Sequence, residues 1–232
     1  MMSRRFQHTR MTTLAVGMLT MLLGGLATSW LPAAPAAKKA SPAAKERKIQ
    51  PGDVDLQVSR VYILVDKTGL GHQHAIEGRL KEGRLKVSGE AAGKLVFDMK
   101  TFIADTPHAR QHLGLPGETD AGTQQQVNAN MLGAGVLNVA KFPTATFAVD
   151  SIKKTPGKES DTFTLTGTYT LHGVSRNLQF DATGTNEKGK LRLHGQFGIR
   201  QTDFGIKPFS KGLGLVGVAD ELVIHGDLLI AQ

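Results

Sequence analysis

Between Thr162 and Leu171 the chain reads TFTLTGTYTL, and every second position is apolar or glycine. Phe163, Leu165, Gly167, Tyr169 and Leu171 fall on one face of an extended segment, and five threonines fall on the other. Successive side chains of a strand point to opposite faces, so a period of two specifies a half-buried β-strand and conflicts with a helix. The alternation returns at Lys190–Arg200, where Leu191, Leu193, Phe197 and Ile199 oppose Arg192, His194, Gln196 and Arg200. Similar segments are readable at 56–66, 72–81, 84–90, 94–102, 144–153, 175–184 and 221–230. Turn-forming clusters separate them, among them Lys81-Glu82-Gly83, Thr155-Pro156-Gly157-Lys158 and Asn186-Glu187-Lys188-Gly189. About eight or nine short strands at close spacing predict an all-β, antiparallel barrel or sandwich.

One stretch breaks this rhythm. Asp120–Val139 is rich in Gln, Asn, Ala and Met, and its spacing predicts one short helix over 124–132. Thr123 is the expected N-cap and Gly133 the expected left-handed residue at the end. Val127, Met131 and Leu132 share a face, enough to dock such a helix across a barrel mouth. Before it, Ala104–Thr119 reads as a long loop marked by Pro and Gly, of the length used for lids.

The N-terminal region follows a different logic. Arg4, Arg5, His8 and Arg10 precede an apolar run from Met11 to Ala27, and small residues around Ala34-Pro35-Ala36 follow. That order predicts a secretory signal peptide over residues 1–37 and, with it, a periplasmic protein. Residues 38–50 (KKASPAAKERKIQ) read as a basic flexible linker, leaving 51–232 as one folded domain. The formal charge of +8 says little about that domain: eight of the 28 basic residues precede Pro51, against one of the 20 acids. The remainder is close to neutral, so no nucleic-acid partner is expected. The linker's cations suit weak contact with an anionic membrane surface, each contributing about 1 kcal/mol near it.

Most catalytic chemistries find no residues here. With no Cys, disulfides, thiol catalysis and thiolate metal sites are excluded. Gly69-Leu70-Gly71 and Gly212-Leu213-Gly214 lack the continuation of a phosphate loop and read as turns. No Ser sits in a G-x-S-x-G elbow, and no carboxylate pair is embedded among apolar residues. No enzymatic activity and no cofactor are therefore expected. Arg200 and Asp203 read as a salt-bridged, bulged turn that aims Phe204 inward. His172, beside Gly173, reads as a turn residue, and His225 as outward-facing.

His72 and His74 remain. Two apart in a strand, they share a face with Ile76 and Leu80. They suit either a polar contact to a ligand head group or, with a third donor such as His108 or His112, a metal or haem iron. The head-group reading is preferred, since the sequence supplies no third ligand at fixed spacing.

Three segments of the second half resemble the YceI-like family of lipocalin-like, polyisoprenoid-binding proteins. Val136–Val149 (VLNVAKFPTATFAV) is similar to the family's Lys-Phe/Tyr-Pro-x-Ala-x-Phe stretch, and Thr164–Phe180 (TLTGTYTLHGVSRNLQF) to its Thr-Leu-His-Gly-Val pattern. Phe197–Gly205 (FGIRQTDFG) is similar to its Arg-x-x-Asp-Phe-Gly. The first half departs, with Lys67-Thr68-Gly69 where the family carries a His before Gly, and with a longer segment over 104–122. The resemblance implies an exported barrel whose interior holds a long isoprenoid or fatty-acyl chain. Phe163, Leu165, Tyr169, Phe180 and Phe197 are then the candidate cavity wall, joined by Phe204 and Met131, with His72 and His74 at the head group. The alternative is a periplasmic metal- or haem-binding, redox-associated protein using His72 and His74.

Overall fold

The computed structural model describes residues 48–87 and 89–232; the expected signal peptide and nearly all of the expected linker lie outside the described residues. Nine strands follow in order: β1 (Arg60–Gly69), β2 (His74–Leu85), β3 (Gly89–Ala104), β4 (Thr144–Thr155), β5 (Asp161–Leu171), β6 (Val174–Glu187), β7 (Lys190–Arg200), β8 (Ser210–Lys211) and β9 (Val216–Ala231). Each of β1 to β6 pairs antiparallel with the next, and β9 pairs with both β7 and β1. The eight long strands thereby close into a barrel, and the two-residue β8 hangs on the start of β9. Closure removes the free edges that an open sheet would present.

The alternation that marked β5 is what builds the wall. Phe163, Leu165, Tyr169 and Leu171 are buried inside. On the solvent face, Thr164 donates to Asp181, Thr166 to Gln179 and Thr168 to Asn177, while Thr170 pairs with Ser175. Cross-strand pairs of this kind each contribute roughly 0.2–1 kcal/mol, and together they pin the β5–β6 register. The β6–β7 ladder, by contrast, runs only from Ala182↔Gly195 to Glu187↔Lys190. Beyond it, half-buried Phe180 and Phe197 stack with centroids 4.6 Å apart.

One end of the barrel is sealed. Residues 50–55 cross beneath it, with Gly52 N–H on the Ala231 carbonyl, Val54 N–H on the Gly83 carbonyl and Val54 bridging Ile230. Phe163, Leu85 and Ile230 are fully buried there. The Phe163 ring occupies the space that a side chain at Gly184 would need. The unit Arg47–Gln232 thus carries its own core and pairs its own strands around the circuit, so it contains what it needs to fold alone.

Three expectations need correction. Lys81-Glu82-Gly83 is no turn: β2 runs through it with a bulge after Leu80, and β3 is one strand from Gly89 instead of two segments. Gly83 serves close approach, because a Cβ there would lie 2.7 Å from the Val54 side chain. Ala104–Thr119 is not all loop, since Pro107–His112 forms helix α1, capped by the Thr106 hydroxyl accepting from Ala109 N–H. The expected helix exists as α2 (Ala121–Leu132), but its N-cap is Asp120, and Gly133 ends it with φ −68° instead of a left-handed turn.

Candidate ligand-binding cavity

The end opposite the seal is open, and an apolar cavity of about 220 Å³ lies inside it. Ile76, Met99 and Phe102 line it from β2 and β3, Ile199 and Ile224 from β7 and β9, and Val127 and Met131 from α2. α2 is fixed by two hydrogen bonds to the end of β3: Gln124 Nε2 donates to the Ala104 carbonyl (2.7 Å), and Ala104 N–H donates to Asn128 Oδ1 (2.7 Å). Deeper in the barrel sits a second apolar space of about 60 Å³, walled by Leu165, Phe180, Phe197 and Gly226 among others. Ile63, Phe102, Tyr169 and Ile224 line both, so a single layer of side chains separates the two volumes.

The polar groups concentrate at the open end. His74 begins β2 and faces inward with Ile76 and Leu80, as its position in the alternation requires. His72 lies just before the strand, exposed, with its ring 4.6 Å from that of His74. Both line the larger cavity. Behind His74 stands Asp105, whose side chain is fully buried. Its Oδ2 accepts from His74 Nδ1 (2.6 Å), and its Oδ1 accepts from Ala75 N–H (3.0 Å) and from Arg110 (2.9 Å). Burial pushes the Asp105 carboxyl up, but the bonds from His74, Ala75 and Arg110 outweigh it and hold the group below the usual carboxylate value. Asp105 is therefore an anion, His74 donates through Nδ1, and Nε2 is left with no protein partner among the described residues. A carboxylate behind one imidazole nitrogen fixes the ring and sets what the other nitrogen offers.

The third donor that the sequence left open is thus Asp105, with one ligand atom from each of His72, His74 and Asp105 within 4.8 Å of the others. His108 and His112 are elsewhere. They sit on α1, outside the wall, His108 on Glu77 (3.0 Å) and His112 stacked 3.7 Å over Tyr62. Arg110 links the two sides: from α1 it reaches the Asp105 carboxylate and also donates to the Pro116 and Gly117 carbonyls. The stretch read as a lid is a brace on the outer wall, covering Tyr62 and Ala75.

The expected wall residues are distributed unevenly. Tyr169 lines both spaces, Met131 the larger, and Leu165, Phe180 and Phe197 the smaller. Phe163 belongs to the sealed end, and Phe204 packs edge-on behind Tyr169 at 5.6 Å; neither borders these two spaces. Phe204 is inward as expected, but a 3₁₀ turn over Gln201–Phe204 ending in left-handed Gly205 puts it there. Among the described residues no ion pair joins Arg200 to Asp203; Thr202 instead donates to Asp220. The Tyr169 hydroxyl has no hydrogen-bond partner among the described residues, and burial alone pushes its phenol up. His172 is the turn residue expected, and the structure gives it a left-handed backbone (φ 52°); His225 faces out from β9 into the half-buried layer around Tyr62.

Fold and site together define a class: a small closed antiparallel barrel enclosing a largely apolar space with a few polar groups at one end. The chain belongs to the YceI-like domain family, whose model matches residues 53–229. It is 30% identical over 139 residues to the UPF0312 protein of Azotobacter vinelandii, covering 57% of this chain and 61% of that one. It is 33% identical over 140 residues to Protein YceI of Salmonella arizonae, covering 54% and 61%. The matched region thus spans about three fifths of the length of these curated relatives. Among solved structures, Burkholderia cenocepacia BcnA superposes with a TM-score of 0.53 at 19% identity, covering 77% of this chain and 100% of that one. A polyisoprenoid binding domain from Saccharophagus degradans, implicated in plant cell wall breakdown, gives 0.50 at 15% identity over 79% and 100%. These two likenesses establish the shared barrel.

Proposed function

We propose that this chain is an exported, non-enzymatic binding protein that holds an apolar chain of polyisoprenoid or fatty-acyl type inside its barrel. The observation that carries the reading is the pair of apolar spaces in line along the interior, ending at His72 and His74. An apolar chain gains roughly 25 cal/mol for each Å² removed from water, while its head group stays at the wet end. There His74 Nε2 and the His72 ring can donate or accept a hydrogen bond. The polyisoprenoid-binding neighbour with the same barrel supports this ligand class. The order of basic, apolar and small residues at the N-terminus supports export to the periplasm.

The cavity volumes set a condition. At about 220 and 60 Å³ they fall below the roughly 300–1,000 Å³ of typical ligand sites. A long chain therefore enters only as the layer at Ile63, Phe102, Tyr169 and Ile224 moves apart. The test is mass spectrometry of an organic extract from protein purified out of its own host. One apolar, chain-bearing species in stoichiometric amount supports the reading, and an extract free of one opposes it.

The convergence of His72, His74 and Asp105 favours one second reading, a metal centre. Against it, both Asp105 oxygens are already engaged by protein donors, so Asp105 orients His74 and only two imidazoles remain as ligands. Metal analysis of the same preparation separates the two readings.

A further inference from the structure

At the open end, two loops meet edge to edge. Gly69 pairs with Val216, and Leu70 N–H donates to the Leu215 carbonyl (2.9 Å). Three leucines turn away from the protein, Leu70 83% exposed, Leu213 fully exposed and Leu215 64%, while Val216, 42% exposed, also borders the cavity. Elsewhere among the described residues, large exposed apolar side chains are isolated, at Ile49 and Val58. Single exposed leucines are ordinary, but a contiguous group of them with a polar rim marks a contact surface. Exposed Lys67, Lys207 and Lys211 flank the leucines; residues 67–73 and 205–218 hold no Asp or Glu, and Asp66, Asp220 and Glu221 lie just beyond them. Turns with left-handed residues at Gly69, Gly212, Leu213 and Gly214 hold the leucines at the tip.

The position of this tip matters as much as its chemistry. The same two loops supply Gly71, Phe209, Val216 and Gly217 to the wall of the larger cavity, so the leucines stand on the rim of its mouth. We propose that this tip docks the barrel onto an anionic lipid bilayer, the leucines entering the acyl boundary and the lysines meeting head groups, so that the mouth opens toward the membrane. Amphipathic elements with cations beside apolar side chains bind bilayer interfaces in this way. Choosing a bilayer over a protein partner rests on the lipid-binding reading, because a ligand insoluble in water must leave and enter a membrane. Three lysines beside the leucines, with no acid within either segment, give local charge complementarity to an anionic surface.

The chain has no Cys, so one introduced thiol carries a fluorophore at a single site. The probe is an environment-sensitive dye on residues 47–232 bearing either Leu213→Cys or Lys188→Cys. Residue 188 lies at the opposite end of the barrel, in the turn between β6 and β7. With vesicles of equal parts phosphatidylglycerol and phosphatidylcholine, the dye at 213 is expected to shift to the blue and the dye at 188 to stay put. Pure phosphatidylcholine or molar salt should reduce the apparent affinity at least tenfold, as should Leu70→Ser with Leu215→Ser in the Leu213→Cys background. No shift at 213 with anionic vesicles overturns the proposal. So does a shift without vesicles that vanishes on dilution, which marks the tip as a contact between copies of the chain. Binding of an apolar dye in the cavity is measured in parallel. If the cavity binds and the tip does not, docking fails and lipid binding stands; if the tip binds and the cavity does not, lipid binding fails.

Discussion

The two ends of the barrel are built from the same strands and obey different rules. At the sealed end Phe163, Leu85, Leu191 and Ile230 belong to one buried apolar core together with Val54 of the 50–55 segment. At the open end the inward faces of the same elements carry His74 and the Tyr169 hydroxyl, with Asp105 behind, and stay unfilled. The sealed end spends its side chains on stability. The open end leaves polar groups and empty volume where a packed core would be steadier, which is the usual mark of a binding site.

The contrast can be broken by substitution, and Phe163→Ala should have the largest effect. A buried Phe truncated to Ala costs about 3–5 kcal/mol, so urea unfolding should show a loss of that order. Phe180→Ala, at a half-buried ring on the cavity wall, should cost distinctly less while altering what the barrel retains. Equal losses at both positions would mean that the two ends are packed alike.

Asp105→Ala tests the brace behind the site. It leaves Arg110, largely buried, without its anion, and removing one partner of a buried pair costs about 3 kcal/mol or more. Replacing Arg110 by Leu in the same chain should restore part of that. If Asp105→Ala is neutral, the Asp105–Arg110 pair is not what ties α1 to the wall.

A smaller effect is expected from pH on the outer face of that wall. Burial lowers His225 and His112, and around His112 nearby His108, His194 and His225 lower it further against the pull of Asp227. The unfolded chain then takes up protons first, as pH falls through about 6.5. Their contribution is fully present above that pH and is lost as pH falls toward the folded values. The thermal midpoint should drop from pH 7.5 to 5.5. His112→Phe, which keeps a ring on Tyr62 but cannot titrate, should flatten part of that slope. His72→Ala should leave stability nearly unchanged, whereas His74→Ala leaves the buried Asp105 Oδ2 without its donor and should cost about 1–3 kcal/mol. Each should weaken retention of a bound lipid by about 1 kcal/mol per lost hydrogen bond.

How far each end could be read from sequence follows from the same contrast. β5 and β7 declare themselves because alternation is local, and it also puts His74 on the inner face with Ile76 and Leu80. Glu82-Gly83 misleads because a glycine needed for approach to Val54 looks like a glycine needed for a turn. Asp105 stayed hidden because its partner His74 lies across the β2–β3 pairing, 31 residues away, and Arg110 because it sits five residues past Asp105 in a stretch with no periodicity. The Thr106-Pro107 pair, a cap followed by proline at the first helical position, was the one local signal of α1.

The central claim is that the interior is kept open for an apolar guest, and Gly226 offers the sharpest test. It lines the deeper space, and a Cβ added there meets nothing within 4 Å, so a larger side chain has room to grow into that space. Wild-type chain and Gly226→Leu, purified from the native host, should be extracted with organic solvent and weighed by mass spectrometry. The account predicts one apolar chain-bearing molecule per wild-type barrel and a severalfold smaller yield from Gly226→Leu, which should fold at least as stably. Equal yields from the two, or no such molecule from the wild type, would contradict it.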